Sequence, residues 1–500
     1  MAKSKRLSFR SRAHTAAATL ALLLLAPLAS ECGGLWAQNY TDVLRYSRVD
    51  PLGSSRSIGL GGAMTALGAD LGTMWSNPAG LGMYRQSDFS LSLSLGAGGA
   101  KTQALDESSI DAAPHVILPQ FGLALTYPLT LANFEHATLA VGYTKLNDFH
   151  ERAFWTADAE GGSMTEEFAS GAQGTGWQSL FNLDAYYIEP AWNAFLIDLV
   201  DPDVDGVYAP AYTDGPVTHA LRRESKGQMG ETTIALGTTY RKRLHMGLSI
   251  GFTSVDLVRE ELYKENGFAE TSDLQEWTIK DELEVSGAGM HWGAGFIYQF
   301  QGLRIGASYR SGERLKIDDY YQVTVHSMLT SRPTGDNSES PLSYIQYKVR
   351  TPRRYSLGAA WTLGKVAVVS VDWQGVNFAR ASFSTNDFAQ NYVDGINNEV
   401  QEMLQHANIL RAGLEIRATE FWRVRAGGGY ESAPSINATD EGERAWASLG
   451  CGYRKDNWYM SGNYRHRMSS EEGRMFASAP YATSAQLGLG LLTVTGGVRF

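Results

Sequence analysis

Residues 484–500, SAQLGLGLLTVTGGVRF, end the chain and decide its fold. From Leu492 onward, apolar or small residues alternate with threonine, glycine and arginine, and the chain stops on Phe500. Because successive side chains of a strand point to opposite faces, this period of two gives the segment one apolar and one polar face. The stretch therefore predicts an amphipathic terminal β-strand.

A terminal strand of this kind that ends on an aromatic residue is typical of transmembrane β-barrels of the bacterial outer membrane. There the last strand closes the barrel and serves as its insertion signal, which makes the barrel assembly machinery an expected partner. We expect Val494, Val498 and Phe500 to face lipid and Arg499 to point into the barrel. The rest of the chain must repeat the pattern for this interpretation to hold.

The N-terminus predicts export. Five basic residues precede an apolar run over residues 16–28 that is too short to span a membrane. We expect a Sec-type signal peptide over residues 1–37, cleaved after Ala37, which leaves an acidic mature chain. Lipidation at Cys32 is the alternative, and Glu31 immediately before it disfavours that spacing.

Charge and cysteine content exclude several functions. The formal net charge is −10, and binding to phosphates needs an excess of lysine and arginine, so no nucleic-acid partner is expected. After cleavage Cys451 is the only cysteine, which excludes an intramolecular disulfide. The chain has no nucleophile motif such as Gly-x-Ser-x-Gly, and we predict that it is not an enzyme.

Segments with alternating apolar and polar residues recur along the whole chain. A soluble β-sandwich also alternates, but here tyrosine and tryptophan on the apolar side fall toward strand ends, as in the aromatic girdles of membrane barrels. With the C-terminal strand there are fourteen segments, which begin near Phe89, Gln120, Thr138, Thr232, Leu244, Gly287, Leu303, Tyr355, Val366, Leu410, Trp422, Ala445, Trp458 and Ala485.

The links between these segments alternate in length. Short links such as residues 241–243 and 301–302 separate long ones, and short periplasmic turns with long extracellular loops are the barrel rule. We therefore predict an all-β fold, a 14-stranded antiparallel transmembrane β-barrel over residues 89–500. Its predicted long loops are Gly96–Pro119, Asp148–Glu231, Gly312–Leu342 and Gln374–Ala407.

Residues 38–88 do not continue the alternation and are rich in glycine and other small residues. Gly61 and Gly62 could be misread as a dinucleotide loop, but the segment lacks the preceding strand and the βαβ frame. Glycines also allow tight turns and close packing inside another structure. We predict an N-terminal hatch, a short plug in the barrel lumen.

Here the residues carry a family resemblance. Asn77-Pro78-Ala79-Gly80, reached through Gly61-Gly62-Ala63, resembles the hatch of the FadL/TodX-type outer-membrane transporters of hydrophobic compounds. The count of fourteen strands is also that family's number. The resemblance implies a monomeric barrel among the lipid and lipopolysaccharide of a Gram-negative outer membrane. It also implies that extracellular loops capture hydrophobic, fatty-acid-like molecules, which leave sideways at the third strand, where Gly142 could form a kink.

The longest loop, residues 148–230, is too apolar for a simple solvated loop, and residues 192–200 have helical spacing. One interpretation is a helix that caps the barrel and packs a small core of its own. The other is a hydrophobic capture groove, and both can hold together. The groove would be lined by four aromatic residues, Trp177, Phe181, Trp192 and Phe195.

The same loop contains a weak metal candidate. Asp201, Asp203 and Asp205, followed by Gly206, match the first half of a calcium loop. Position twelve of that loop is Tyr212 rather than glutamate, which excludes an EF-hand. A partial calcium site and a solvated acidic turn both remain open, and no other cofactor is expected. The histidines are scattered without metal-ligand spacing.

Charged residues on the polar side of several strands should face the lumen. A charge inside a barrel needs partners, so an ion-pair network that holds the hatch is favoured over an anion-selective filter. The residues in question are Arg304, Arg411, Glu415, Arg417, Arg423, Arg425 and Arg499.

A second function class is open, because some barrels of this kind look like carriers or anchors for secreted proteins, similar to the PorV component of type IX secretion. A scaffold of that kind needs a closed wall and a large loop surface, whereas a transporter needs an apolar route to an opening. The apolar long loop favours transport. Passive diffusion is expected, since no segment resembles an energy-coupling box.

Overall fold

The computed structural model describes residues 39–131, 133–212, 215–436 and 442–500. The predicted signal peptide, with its cleavage site and the alternative lipidation at Cys32, lies outside the described residues. Within those residues, no helix has both the length and the apolar character needed to cross a membrane.

Fourteen antiparallel strands form a closed ring, in which each strand pairs with the next and the last pairs with the first, as the sequence predicted. The strands are β1 (Asp88–Ala104), β2 (Glu107–Pro128), β3 (Phe134–Asp148), β4 (Val217–Tyr240), β5 (Leu244–Asn266), β6 (Leu274–Phe300), β7 (Leu303–Arg310), β8 (Arg354–Leu363), β9 (Ala367–Asn377), β10 (His406–Arg417), β11 (Trp422–Glu431), β12 (Arg444–Lys455), β13 (Trp458–Gly473) and β14 (Thr483–Arg499).

The seam between β14 and β1 is continuous, and its register places Arg499 opposite Asp88. Val494, Val498 and Phe500 are exposed on the outer face, while the Arg499 Nε lies 3.4 Å from the Asp88 carboxylate. The predicted orientation of the terminal strand is therefore confirmed. Its apolar side covers the barrel exterior, and its arginine is paired at the end of the barrel where the connections are short.

The strands are much longer than a membrane requires. A tilted transmembrane strand needs about 9–11 residues, whereas β5 has 23 and β6 has 27. They continue outward at the opposite end, here called the long-loop end. The prediction of a loop over Gly96–Pro119 is wrong, because β1 and β2 pair as far as Ala104 and Glu107. Glycine, alanine and serine weaken the alternation there, so the ladder was not visible in the sequence.

The other predicted loops also contain regular structure. A hairpin occupies part of Gly312–Leu342, and β4 already begins within Asp148–Glu231. The strands of the long-loop end outside the ring are Glu151–Ala159, Ile197–Leu199, Tyr208–Pro210, Arg314–Leu329, Arg332–Glu339, Ser343–Arg350 and Ser382–Thr385. The α-helices of the described residues are α1 (Tyr40–Ser47), α2 (Ser55–Gly59), α3 (Thr73–Ser76), α4 (Met164–Ala172), α5 (Leu180–Leu183), α6 (Ile188–Asn193) and α7 (Gln390–Met403), with 3-10 helices at Pro78–Met83, Trp177–Ser179 and Phe378–Arg380.

The apolar residues of the longest loop pack a core of their own. Phe168, Leu180 and Leu196 are buried in one cluster with Trp277 of β6, so the loop covers the barrel mouth. The helix predicted over residues 192–200 is wrong beyond Asn193, where α6 ends. Phe195 adopts a left-handed backbone with a φ of 56°, and the following residues form a short strand instead. Pairing with a second short strand replaced the helical hydrogen bonds that spacing alone suggested.

Acid should loosen this loop core through His219, which is fully buried at the long-loop end. Its Nε2 lies 2.9 Å from the Gly162 carbonyl oxygen, and burial lowers the pKa of His219 to about 4. Histidine in the unfolded loop has a pKa near 6.5. As the pH falls, it is therefore protonated before His219 of the folded loop, and protonation favours the unfolded state. We expect the loop to lose on the order of 2 kcal/mol of local stability between pH 6.5 and 4.

Limited proteolysis and hydrogen exchange of the loop across this pH range would measure the effect. His219→Gln keeps a polar side chain but cannot titrate, so its loop should show a flatter pH profile. An unchanged profile in that variant would assign the acid sensitivity to another group.

Candidate functional site: a lumenal hatch and an interrupted wall

Asn77 fixes the shape of the hatch motif. It is buried, its Oδ1 accepts a hydrogen bond from the Ala79 amide at 3.1 Å, and its Nδ2 donates to the Thr65 carbonyl at 2.7 Å. Pro78 opens the 3-10 helix Pro78–Met83, a position where a missing N–H costs nothing. The motif that carried the resemblance therefore organises the hatch and joins its two halves.

The barrel wall is shaped to receive this hatch. A Cβ added at Gly247 would lie 2.3 Å from the Pro78 carbonyl carbon, and one at Gly306 would lie 2.2 Å from the Thr65 oxygen. Only glycine permits backbones to approach so closely. The lumen-facing glycines that approach hatch atoms in this way are Gly237, Gly247, Gly295, Gly306, Gly358, Gly413 and Gly427.

The glycines of the hatch itself serve both turns and packing. Gly61 and Gly62 have φ values of 65° and 83°, a left-handed conformation that favours glycine. A Cβ at Gly61 would also lie 2.4 Å from the Gly428 amide nitrogen of β11. These two residues therefore turn the hatch against the wall.

Ion pairs complete the attachment of the hatch. Glu415 of β10 lies 2.6 Å from the Arg425 guanidinium and 3.2 Å from Arg56 of the hatch. Asp50 of the hatch lies 2.6 Å from Arg465 and also contacts the neighbouring arginine of β13. Buried charges need such partners, because an unpaired one is strongly destabilising. The predicted ion-pair network around the hatch therefore exists.

The membership of that network differs in part from the prediction. Arg411 donates to the Gln374 side chain at 3.2 Å within the lumen, and Arg499 contacts Asp88. Arg417 is exposed at the barrel mouth, where it donates to the Thr419 carbonyl oxygen of a short turn. It lies at the last position of β10, where the strand has already left the barrel interior.

The wall is interrupted between β2 and β3. Their ladder runs regularly from Pro128 opposite His136 to Gln120 opposite Thr144, and there it stops. The next residue of β2 is Pro119, which has no N–H to donate to a partner strand. A proline at this position ends the ladder for a chemical reason visible in the sequence.

Beyond the interruption, β3 pairs with the hatch in place of β2. The Leu52 amide donates to the Lys145 carbonyl, and the Asp50 amide donates to the Leu146 carbonyl, both at 2.8 Å. A β-bulge against β4 follows Lys145. Backbone groups within a barrel wall must find partners, and here the hatch supplies them. The end of β3 is thereby drawn toward the lumen and away from β2.

The kink expected at Gly142 is not there. Gly142 pairs with Gly122 on one side and with Thr233 on the other, within regular ladders. The departure of β3 begins three residues later, at Lys145. Glycine alone was a weak indicator, whereas Pro119 on the neighbouring strand was the informative residue.

The two sides of the interruption differ in polarity. On its inner side, the Gln120 amide group and the Thr144 hydroxyl are buried and have no hydrogen-bond partner among the described residues. A lumenal cavity that also borders the hatch reaches Thr144. On the outer face, Val116 and Leu118 of β2 are 77% and 36% exposed. The interruption therefore lies between a mainly polar lumen and an apolar rim.

The four predicted groove residues lie in one region but do not all meet. The Trp177 and Trp192 rings stack at 6.4 Å, and Phe181 is 53% exposed. Phe195 instead lies under the Arg332 guanidinium, 3.7 Å from its ring centre. An exposed aromatic surface is present on the loop, and its role in capturing a ligand stays a prediction.

The predicted calcium ligands serve local turns. The Asp201 carboxylate accepts from the Asp203 amide at 3.0 Å, and the Asp205 carboxylate accepts from the Trp177 amide at 2.9 Å. Calcium at this place stays a prediction. Within the part of the chain that the structure describes, three potential metal ligands do converge elsewhere, although their spacing in the sequence does not indicate a site. These are His115, Asp148 and His150.

Comparison with known proteins also indicates an outer-membrane barrel. No curated protein matches the chain. Residues 224–460 match the model of a family described as outer membrane protein transport protein (OMPP1/FadL/TodX). The P. putida toluene transporter TodX has a similar structure, with 12% identity, coverage of 89% of this chain and 98% of that chain, and a TM-score of 0.52. A Pseudomonas aeruginosa FadL homologue has 10% identity, coverage of 90% and 99%, and a TM-score of 0.53.

At these identities the structural likeness establishes the fold, a 14-stranded barrel with helices at its N-terminus. The family match covers nearly half of the chain in sequence, from within β4 to the start of β13. The chain therefore has the fold of these FadL/TodX-type barrels, and its residues 224–460 match the model of the OMPP1/FadL/TodX family of outer-membrane transport proteins.

Proposed function

We propose that this protein is an outer-membrane channel for passive uptake of hydrophobic, fatty-acid-like small molecules. The extracellular loops capture the molecule, and it passes the hatch and leaves sideways between β2 and β3. The observation that carries the proposal is the interruption beyond Gln120 and Thr144, where the hatch has replaced the neighbouring strand. Similarity to a protein described as a toluene transporter supports an apolar cargo.

The surroundings of the proposed route suit downhill movement. Trp177 and Phe181 present aromatic surface at the long-loop end, and Val116 and Leu118 present aliphatic surface beside the interruption. Transfer of apolar surface from water into lipid gains about 25 cal/mol per Å², so a captured molecule needs no energy source to move into the bilayer. The protein would act as a monomer among lipid and lipopolysaccharide, after Sec-type export and insertion by the barrel assembly machinery.

A role as an anchor for secreted proteins is less well supported. A scaffold has no use for a break in its wall, and unpaired backbone within a membrane is costly unless another segment pairs with it. Here β3 leaves its ladder and the hatch accommodates it, an arrangement that a transport route explains. The interrupted wall thus favours the channel over the scaffold.

Bridging the interruption should stop uptake. Cysteines at Pro119 and Lys145, the first unpaired positions of β2 and β3, would be joined with reversible thiol-bridging reagents in a Cys451→Ser background. We expect uptake of a fluorescent fatty acid into proteoliposomes to fall to the level of protein-free vesicles and to recover after reduction. The matched control is Ala124→Cys with Ala140→Cys, an inward pair in the regular ladder of the same strands.

In the control, bridging should leave uptake unchanged, because those positions are already held together by the ladder. Undiminished uptake through a protein whose gap is fully bridged would contradict the lateral route. Loss of uptake in both pairs would assign the effect to general stiffening of the barrel.

A further inference from the structure

Three metal-binding side chains meet across the interrupted wall. His115 comes from β2, Asp148 ends β3, and His150 follows two residues later. The His115 Nε2 lies 2.6 Å from one Asp148 carboxylate oxygen, and the His150 Nδ1 lies 2.9 Å from the other. All three ligand atoms lie within 4.8 Å of one another. They span the two strands at the place where no ladder joins them.

His115 is placed between two hydrogen-bond acceptors. Its Nδ1 lies 3.0 Å from the Ala113 carbonyl oxygen, while its Nε2 faces Asp148. A neutral imidazole carries only one N–H and can donate to only one of these two oxygen acceptors. The other contact is favourable only if a second proton or a metal ion lies between the nitrogen and the oxygen. When Nδ1–H donates to the carbonyl, the Nε2 lone pair points at the carboxylate. A metal-ligating histidine commonly donates its other N–H to a backbone carbonyl in this way.

We propose that His115, Asp148 and His150 bind a divalent transition-metal ion that ties β2 to β3. Two imidazoles and one carboxylate form a ligand set that suits Zn²⁺, with a fourth position left for water. The two rings now stack at 3.9 Å with an interplanar angle of 17°, so they must tilt toward each other to converge on an ion. The His150 side chain is 29% exposed, which gives an ion access from solvent.

Lys145 contacts the carboxylate of the proposed metal site. Its Nζ lies 3.0 Å from the Asp148 oxygen that His150 also contacts, and its side chain is almost fully buried. The ammonium holds the carboxylate in position but repels a second cation. Replacing it with an uncharged side chain of similar length should therefore strengthen metal binding, which a purely structural cluster would not do.

The test uses the full protein in detergent and titrates it with Zn²⁺ by calorimetry. We expect one saturable site, with binding weakened at least about tenfold in His115→Ala and in His150→Ala, since each variant removes a ligand. Lys145→Met should bind more tightly than the native protein. The control is His326→Ala, which removes a partly exposed histidine of the hairpin, where it contacts Asn337, and should leave binding unchanged.

Heat-modifiable migration in gels shows whether each variant keeps a folded barrel. Binding weaker than millimolar in the native protein, or equal binding in folded His115→Ala and His150→Ala, would overturn the site. Hydrogen exchange tests the tie between strands. Zn²⁺ should slow exchange near residues 115–120 and 145–150 in the native protein but not in His115→Ala or His150→Ala, and saturable binding without this protection would overturn the tie. Neither readout depends on transport.

Discussion

Gly247→Val is expected to expel the hatch from the barrel. The added Cβ would lie 2.3 Å from both the carbonyl carbon and the oxygen of Pro78, and 2.5 Å from the Ala79 amide nitrogen. Overpacking ordinarily costs about 1–3 kcal/mol when neighbouring side chains can move, but these atoms are backbone and cannot rotate aside. The strand that carries Gly247 is fixed by long ladders on both sides, whereas the hatch is a short segment. The hatch should therefore give way.

Conductance across planar lipid bilayers measures this outcome. The native protein should conduct little, while Gly247→Val should open a persistent ion-conducting pore, because larger barrels enclose a lumen wide enough for water once it is unplugged. The matched control is Gly496→Val, since a Cβ at that strand glycine meets nothing within 4 Å. A folded Gly247→Val barrel that stays closed would show that the wall, and not the hatch, yields.

Expulsion of the hatch should also change the wall. The Asp50 and Leu52 amides occupy the carbonyls of β3 at its bulge, so removal of the hatch leaves those carbonyls without partners. The end of β3 is then free to rejoin β2 or to admit water. The same segment that blocks the lumen thus holds the interruption in place, which couples the two parts of the proposed route.

The sequence predicted the ring because barrel strands obey local rules. Alternation with a period of two marked the strands, although the segment near Val366 is apolar on both faces, and the short turns marked which ends belong together. The hatch was predictable for a different reason, since a glycine-rich segment without alternation cannot form part of the wall. In both cases the information lay in residues adjacent in the chain.

The wall interruption depended on residues far apart in the sequence. Pro119 ends the β2–β3 ladder at the position opposite Lys145. The Lys145 carbonyl is paired there because it accepts a hydrogen bond from the Leu52 amide of the hatch. His115 and His150 likewise meet through the geometry of β2 and β3, with no spacing rule to reveal them. Gly142, chosen for its composition, lies in a regular part of the wall.

Glu265→Ala is expected to detach the longest loop while the barrel stays intact. The Glu265 carboxylate is fully buried near the end of β5. It accepts hydrogen bonds from the Met164 amide at 2.8 Å and from the Trp277 indole N–H at 2.9 Å. It also accepts hydrogen bonds from the hydroxyls of Ser163 and Tyr263. It thus joins the start of α4 to two strand extensions. Alanine would leave the Met164 amide, the Trp277 indole and the Tyr263 hydroxyl without this acceptor, while Ser163 can still donate to Thr165.

Each buried donor left unpaired costs about 1–3 kcal/mol, so the loop should lose its attachment even if water reaches some of them. We expect faster proteolysis and hydrogen exchange over residues 160–212, with unchanged heat-modifiable migration of the barrel. Glu276→Ala is the control, because that partly exposed carboxylate pairs with Lys264 near the surface, a contact worth about 0–1 kcal/mol. Equal loop protection in both variants would show that the apolar core holds the loop without the buried carboxylate. Because Trp177 and Phe181 belong to the released segment, uptake measured in the same Glu265→Ala protein would then reveal whether capture needs a docked loop.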